Sequence, residues 1–218
     1  MKTKRNLIQL CLLGAVVLQA ATSGAQPVTK IAVGEEHSLF LKSDGSLWAM
    51  GNNAEGELGD GSNNRTNRPE QIVASNVTAI AAGYYHSLFL KSDGSLWAMG
   101  RNDSGQLGDR TNSNTNRPEL IVSSNVTAIA AGLFHSLFLK RDGSLWAMGY
   151  DQCGQLGDGT YYTTTNRPEM IVASNVTAIA AGNSYSLFLK SDGSLWGMGW
   201  NSQGQIGGGT YNQTNRPE

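Results

Sequence analysis

Short apolar runs alternate with polar, glycine-rich stretches along this chain. Residues 77–83 form a run with β-branched side chains that ends at glycine, and a second run, His86–Lys91, follows after two residues. Asp93-Gly94 separates that run from residues 96–99, and Asp-Gly between two such runs predicts a tight β-hairpin. A polar loop leads to residues 117–122, whose proline suits the start of an outer strand because proline cannot donate to a sheet. The pattern predicts four short antiparallel strands, since runs this short, each interrupted by glycine, disfavour helices.

This pattern occurs four times along the chain. The tryptophan of Ser-Asp-Gly-Ser-Leu-Trp recurs every 49 or 50 residues, although the third copy has Arg141 for the first serine; the four are Trp48, Trp97, Trp146 and Trp196. The proline of Asn-Arg-Pro-Glu recurs in step, at Pro69, Pro118, Pro168 and Pro217. A fixed period of this length with four short strands is typical of a β-propeller blade. We predict an all-β propeller with units at about 28–75, 76–124, 125–174 and 175–218, in which the tryptophans pack between blades.

Residues 1–25 lie outside the repeat and have the layout of a secretory signal peptide. Three basic residues, Lys2, Lys4 and Arg5, precede an apolar stretch over residues 7–21, and small residues follow before position 26. The apolar stretch is shorter than the roughly 20 residues that a membrane-spanning helix needs. We therefore predict cleavage near Ala25, no membrane span in the mature chain, and a secreted, periplasmic or cell-surface location.

Charge and cysteine content narrow the function classes. Removing the three basic residues of the leader from the 16 in the chain leaves 13, against 17 acidic residues, and no basic run remains. A nucleic-acid partner is therefore not expected. Cys153 is the only thiol beyond the leader. We interpret it as a tolerated substitution, with an intermolecular disulfide or a reactive thiol as the alternative.

The sequence carries no common catalytic motif. It lacks Gly-x-Ser-x-Gly, His-Glu-x-x-His and the phosphate-binding loop with its lysine.

Equivalent positions of the four units hold His37, His86, His135 and Tyr185. A metal-binding ring is one interpretation, but we predict that each histidine bonds its own loop, a role in which tyrosine can substitute. Asn-Val-Thr recurs at Asn76, Asn125 and Asn175; we predict turns in which asparagine bonds its own backbone, with glycosylation as the alternative. The sequence thus predicts a protein that is not an enzyme and has no cofactor.

Three phrases in the repeat resemble the regulator of chromosome condensation repeat family. They are Ala-Ile-Ala-Ala-Gly-x-x-His-Ser-Leu, Ser-Asp-Gly-Ser-Leu-Trp-Ala-Met-Gly and Gly-Gln-Leu-Gly-Asp, and the resemblance covers residues 28–218. It implies a propeller whose well-known members have seven blades, with a ring closed by strands from both chain ends. Here four units are present, no Pro-led strand precedes Val28, and the sequence stops at Glu218, where Ile-Val is expected. We expect a fragment of a longer propeller or an open arc with an exposed blade edge; a closed four-bladed ring is the alternative.

Strand direction divides each unit into a constant end and a variable end. In an up-and-down sheet, the Asp-Gly hairpin lies at one end, whereas the Gly-x-x-His turn and the long loop after Trp-x-Met-Gly lie at the other. The second end varies between copies and carries aromatic and arginine side chains, which are common in binding hot spots. The candidate binding rim comprises Glu35, Glu36, Tyr84, Tyr85, Arg101, Leu133, Phe134, Tyr150, Asn183 and Trp200.

These observations predict an exported, non-enzymatic propeller scaffold that binds a protein or cell-surface ligand through its variable rim. The resemblance supports a binding role, since some exported bacterial members are similar to inhibitors that clamp another protein. Guanine-nucleotide exchange, as in nuclear members, is the alternative, and it conflicts with the leader and the acidic balance. Open blade edges could also pair with another copy of the chain.

Overall fold

The computed structural model describes residues 26–218, so the predicted signal peptide lies outside the described residues. The first sheet contains β1 (Val28–Val33), β2 (His37–Lys42), β3 (Leu47–Gly51) and β4 (Thr66–Val73). The second contains β5 (Val77–Ala82), β6 (His86–Lys91), β7 (Leu96–Gly100) and β8 (Thr115–Val122). The third contains β9 (Val126–Ala131), β10 (His135–Lys140), β11 (Leu145–Asp151) and β12 (Thr163–Val172). The fourth contains β13 (Val176–Ala181), β14 (Tyr185–Lys190) and β15 (Leu195–Gly199).

Each sheet is an antiparallel blade whose strands follow chain order, as the sequence predicts. The fourth blade has three strands, and the end of the chain pairs with the last of them. Gly199 pairs with Thr214, and Gly197 and Glu218 exchange backbone hydrogen bonds of 2.9 and 3.1 Å. The third blade has the same register, with Gly149 opposite Thr165. The tail therefore occupies the position in which the other blades have their outer strand.

The constant phrase forms the predicted hairpin between the second and third strands of each blade. In the second blade, the Asp93 carboxylate accepts hydrogen bonds from the Ser95 amide at 2.9 Å and hydroxyl at 2.6 Å, and the Trp97 indole donates to the Ser95 oxygen at 2.9 Å. Gly94 has φ of 79°, and a Cβ added there would lie 2.8 Å from the amide nitrogen of Asn125 in the next blade. Asp93, Gly94, Ser95 and Trp97 thus each have a structural function, which explains why these four positions repeat.

The asparagine of Asn-Val-Thr precedes the first strand of a blade in a left-handed conformation. Its φ is 67°, 68° and 69° at Asn76, Asn125 and Asn175. Asparagine tolerates positive φ better than other residues with side chains. The chain bends at the serine before each asparagine, and backbone conformation, rather than the predicted bond from the side chain to its own backbone, accounts for the residue.

The hydrophobic core lies between blades, and each blade contributes two different faces. One is the Leu face, which in the first blade comprises Leu39, Leu41, Leu47, Ala49 and Leu58. It packs against the Phe face of the second blade, which comprises Phe89, Met99, Ile80, Ala82 and Trp97. The same pairing joins the second blade to the third and the third to the fourth. Burying one such large side chain contributes about 1.5–3 kcal/mol, so the contacts between blades dominate the stability of the fold.

The repeated histidines also connect neighbouring blades. Their Nε2 atoms lie 2.9–3.0 Å from serine hydroxyls of the next blade, in the pairs His37–Ser87, His86–Ser136 and His135–Ser186. The prediction that each histidine side chain bonds its own loop is therefore wrong. Each histidine is the first residue of the second strand of its blade. Its ring extends into the interface between blades, where it faces the serine of the next blade. Sequence periodicity identifies such equivalent positions but does not identify the neighbour that each one contacts.

The four blades are not closed into a ring within the described residues. The first blade leaves its Phe face open, with Ile31 77% exposed, and the fourth leaves its Leu face open, with Leu195 58% exposed. Leu145, the equivalent of Leu195 in the third blade, is fully buried. This agrees with the predicted open or incomplete ring. Residues 26–218 contain no helix with the length and apolarity needed to cross a membrane.

Candidate functional site

The structure places the short turns and the long loops at the same end of the blades. The backbone N–H that opens each long loop donates to a carbonyl of the short turn in the same blade at 2.8 Å. These pairs are Asn52 with Glu36, Arg101 with Tyr85, Tyr150 with Phe134, and Trp200 with Ser184. The ten candidate residues therefore occupy one rim of the molecule, opposite the constant hairpins.

The short turns also contact one another from blade to blade. The Glu35 amide donates to the Tyr84 carbonyl at 3.3 Å, the Tyr84 amide to Leu133 at 3.3 Å, and the Leu133 amide to Asn183 at 3.1 Å. Together with the preceding glycines, these four residues line an open depression of about 190 Å³. The turns are thus held at fixed spacing, so the side chains on them have a defined arrangement.

The second and third blades bring five of the ten candidates into one group, which we call the aromatic cluster. Its members are Tyr84, Tyr85, Arg101, Phe134 and Tyr150. The ring centroids of Tyr84 lie 4.3 Å from Tyr85 and 5.4 Å from Phe134, and Phe134 lies 6.3 Å from Tyr150. The Arg101 guanidinium lies 5.0 Å from the Phe134 centroid, within cation–π distance. These side chains are half-buried against each other. The cluster is therefore an ordered surface with apolar faces and polar edges.

The other five candidates surround this cluster on the rim. Glu35 and Glu36 in the first blade and Asn183 in the fourth are exposed, Leu133 is half-buried, and Trp200 is 39% exposed. A hydrogen bond with Tyr84 is the main cause that raises the pKa of Tyr85 to about 12, and the charges of Glu35 and Glu36 act in the same direction. Tyr85 is therefore a neutral phenol at physiological pH and can donate or accept a hydrogen bond.

Buried amide side chains hold the long loops in place. In the second blade, the Asn102 side-chain carbonyl accepts from the Leu107 amide at 3.0 Å, and its Nδ2 donates to Asp109 at 2.9 Å. The third blade has the acid Asp151 at this position, fully buried and 2.8 Å from the Leu156 amide. Burial is the main cause that raises the pKa of Asp151 to about 7, and the charge of Asp158 adds to the effect. The sequence comparison of copies shows this substitution, but only the structure reveals its burial.

Two residues that orient the cluster, Asp103 and Gln152, are not among the candidates that the sequence predicts. Asp103 accepts a hydrogen bond from the Arg101 Nε at 2.9 Å, and Gln152 accepts one from the Tyr150 hydroxyl at 3.0 Å. Each lies two residues after the side chain that it holds, in the same long loop. A side chain two positions later that can accept a hydrogen bond from Arg101 or Tyr150 is the sequence signal that identifies both residues.

The chemistry of the rim is that of a contact surface. Residues 26–218 contain no group of three or more histidine, cysteine or acidic side chains placed to hold a metal ion. The repeated histidines are buried with Nε2 bonded to serine, and burial raises the pKa of the half-buried Cys153 thiol. Aromatic, arginine and amide groups on ordered loops are suited to packing against another macromolecule and bonding its polar groups.

Comparison with known proteins supports the fold. A family model described as RCC1-like domain matches residues 8–218. Human WBSCR16 is 27% identical, with a TM-score of 0.81, over 90% of this chain and 53% of that one. Prp20p from Saccharomyces cerevisiae is 24% identical, with a TM-score of 0.79, over 90% and 51%. Yeast RCC1 (Prp20) bound to Kap60 is 26% identical, with a TM-score of 0.77, over 90% and 49%. This chain thus spans about half the length of these structures. No curated protein sequence matches it significantly.

Proposed function

The chain belongs to the RCC1-like domain family, and from this premise we propose that it is an exported, non-enzymatic propeller scaffold that binds a protein partner or cell-surface ligand through its variable rim. The observation that carries the proposal is the aromatic cluster. Four aromatic rings and one arginine from two blades form an ordered, half-exposed surface at the end that differs most between copies. Such residues on a rigid scaffold dominate the affinity of protein interfaces.

Binding activity of similar proteins supports a protein as the partner. Yeast Prp20p has binding properties toward Gsp1p and histones, and a second similar structure contains yeast RCC1 (Prp20) bound to Kap60. A histone-like partner is basic, and Glu35 and Glu36 beside the cluster would favour basic groups. Exchange on a nucleotide-binding protein remains the alternative function. The predicted leader and the acidic balance of the mature chain favour the exported scaffold instead.

The rim proposal is tested by affinity capture with two matched variants. The rim variant carries Tyr84→Ser, Phe134→Ser and Trp200→Ser, and the control carries Ser92→Ala, Arg141→Ser and Ser191→Ala at the constant end. Both must have the circular dichroism spectrum of the native chain. We expect the native protein and the control to retain the same protein from an extracellular extract, and the rim variant to lose it. Equal retention by all three would show that the rim is not the binding surface.

Export is tested separately. We expect the chain outside the cytoplasm with an amino terminus at or near Gln26. Recovery only from the cytoplasm, with Met1 or Lys2 at the amino terminus, would contradict export and would favour the exchange-factor alternative. The predicted self-association through the open blade edges would use residues outside the rim.

A further inference from the structure

The two open faces of the arc are complementary to each other. In the three interfaces between blades, a Leu face always meets a Phe face. The exposed fraction of Leu41, Leu90 and Leu139 in those interfaces is 2–3%, whereas their equivalent Leu189 on the open Leu face is 40% exposed. At the other end, Ile31 on the open Phe face is 77% exposed. Residues 26–218 therefore present one unmatched face of each kind.

The long loop of the fourth blade lacks, among the described residues, the next blade that the other long loops contact. A Cβ added to Gly59, Gly108 or Gly157 would lie 2.4 Å from the methionine sulfur of the next blade, so each glycine is needed for that close approach. Gly207 is the equivalent glycine of the fourth blade, and nothing lies within 4 Å of its added Cβ. Gly209 is equally open, whereas its equivalent Gly61 is packed against Arg117. The loop is shaped to receive a blade that the described residues do not supply.

The first blade has a groove at the position where the other blades receive the long loop of the preceding blade. The groove has a volume of about 610 Å³, and its lining includes Ser38, Met50 and Asn67. In the second blade, the equivalent residues contact the long loop of the preceding blade. The Ser87 hydroxyl donates to the Glu57 carbonyl at 2.7 Å, Met99 packs on Gly59, and the Asn116 carbonyl accepts from the Gly61 amide at 2.8 Å. The groove therefore has the contact groups needed for a loop such as that at residues 203–209.

We propose that a second copy of this chain fills both openings, with the Leu face and long loop of the fourth blade of each copy docked on the Phe face and groove of the first blade of the other. The contact pairs the same two kinds of face as the three interfaces already present within the chain, and closure of the eight blades needs a smaller rotation between blades than the seven-bladed ring that the family resemblance implies. The chain spans about half the length of its structural relatives, so two copies supply about the length of one relative. A contact between unlike faces closes into a ring when the rotation permits it. The assembly is a head-to-tail dimer.

The dimer is tested with three single variants of the leaderless chain, residues 26–218. Ile31→Glu blocks the Phe face and Leu195→Glu blocks the Leu face. Leu120→Glu is the control, because Leu120 is 50% exposed on the outer strand β8, away from both faces. All three positions are exposed in the single chain, so the substitutions should leave each blade folded. Light scattering after size-exclusion chromatography gives the mass, and circular dichroism checks folding.

We expect roughly twice the single-chain mass for the native protein and the control, and the single-chain mass for each face variant. An equimolar mixture of the two face variants should regain the dimer mass, because one intact Phe face and one intact Leu face remain. This rescue distinguishes unlike faces from pairing of like faces. Native protein at the single-chain mass up to its solubility limit, or dimers of either face variant alone, would overturn the proposal. A mass above the dimer would exclude two-copy closure. The rim variant should still dimerise, so the two proposals can fail separately.

Discussion

Acidification should unfold this protein through its three buried histidines. His37, His86 and His135 are at most 3% exposed, and each connects two blades. Burial lowers the pKa of His37 and His135 from 6.5 to about 4, and burial with the neighbouring histidines lowers that of His86 to about 3. We predict a large loss of stability between pH 7 and pH 5, well above the pH at which most carboxylates titrate.

The hydrogen bonds explain why the charged imidazole is disfavoured. The Ser136 hydroxyl donates to the Gln106 carbonyl at 2.8 Å, so its oxygen must accept from the Nε2–H of His86. The neutral ring therefore leaves Nδ1 without a proton, and this buried atom has no hydrogen-bond partner among the described residues. Protonation would add a second N–H at this atom, which lies close to Gly83 and has no partner within hydrogen-bond distance in the described part of the chain. The other two interfaces have the same arrangement.

The magnitude follows from proton linkage. The folded pKa values are lowered, so the unfolded chain binds protons first, and stability is complete above pH 6.5 and lost as pH falls toward 4. At pH 5 each histidine costs about 2 kcal/mol, and the three together cost about 6 kcal/mol. That loss is comparable to the total stability of many domains, about 5–15 kcal/mol. The raised carboxyl pKa values of Asp151, Glu57 and Glu119 act in the opposite direction, and the first two belong to fully buried side chains.

The assay removes the two buried acids of this group, Asp151 and Glu57. Asp151→Asn and Glu57→Gln restore the residue types that the other blades have at these positions, such as Asn102 and Gln106. In this background, urea unfolding followed by tryptophan fluorescence should give a free energy lower by about 6 kcal/mol at pH 5 than at pH 7. Adding His86→Gln should reduce that difference by about 2 kcal/mol. A difference below about 1 kcal/mol in the background protein would refute the explanation, since it would show that the buried rings accept protons freely.

Two further predictions concern the same folded unit. Asp151→Asn alone should raise the free energy of unfolding by about 4 kcal/mol at pH 8, because burial raises the pKa of Asp151 from 3.8 to about 7 and the amide can donate to Asp158 as Asn102 does to Asp109. The gain should shrink toward pH 4, where Asp151 is protonated in the folded state. Urea titrations at both pH values measure it, and a gain that grows on acidification would contradict the linkage. Leu90→Ala should lower the free energy of unfolding by about 3 kcal/mol, because Leu90 is 3% exposed. Leu189 is 40% exposed, so Leu189→Ala, made in the single-chain Ile31→Glu background, should lower it by less than about 1 kcal/mol. Equal losses of stability in melting experiments would show that the fourth blade is not open.

Most of the blade could be predicted from a single copy of the repeat. Strand β6 has the predicted bounds, and the Asp93-Gly94 hairpin lies where the sequence places it. These features are local, since a turn and the strands beside it depend on neighbouring residues. The strand pairing that follows is nearly forced, because short consecutive strands joined by tight turns form antiparallel sheets.

The contacts between blades are harder to predict. The repeat pattern assigns His86 to its own loop, but its partner Ser136 lies 50 residues along the chain. The period of a repeat states which positions are equivalent, whereas the offset between two contacting positions depends on how blades stack. Strand direction identifies the rim, yet the contact of Arg101 with Phe134 depends on that same stacking and could not be derived from either loop alone.

The distribution of constant and variable residues assigns different partners to different surfaces. Residues that are the same in all copies, such as Leu41, Leu90 and Leu139 of the Leu faces and Gly59 with its equivalents in the next two blades, pack against the neighbouring blade, so they are suited to recognise another blade of the same kind. Residues that differ, such as Tyr84 and Phe134, lie on the rim and face outward. We therefore propose that a foreign partner that distinguishes this protein from others with the same repeat contacts the rim. A second copy, by contrast, is recognised by the faces at the two ends of the arc, and substitutions on the rim leave that recognition intact.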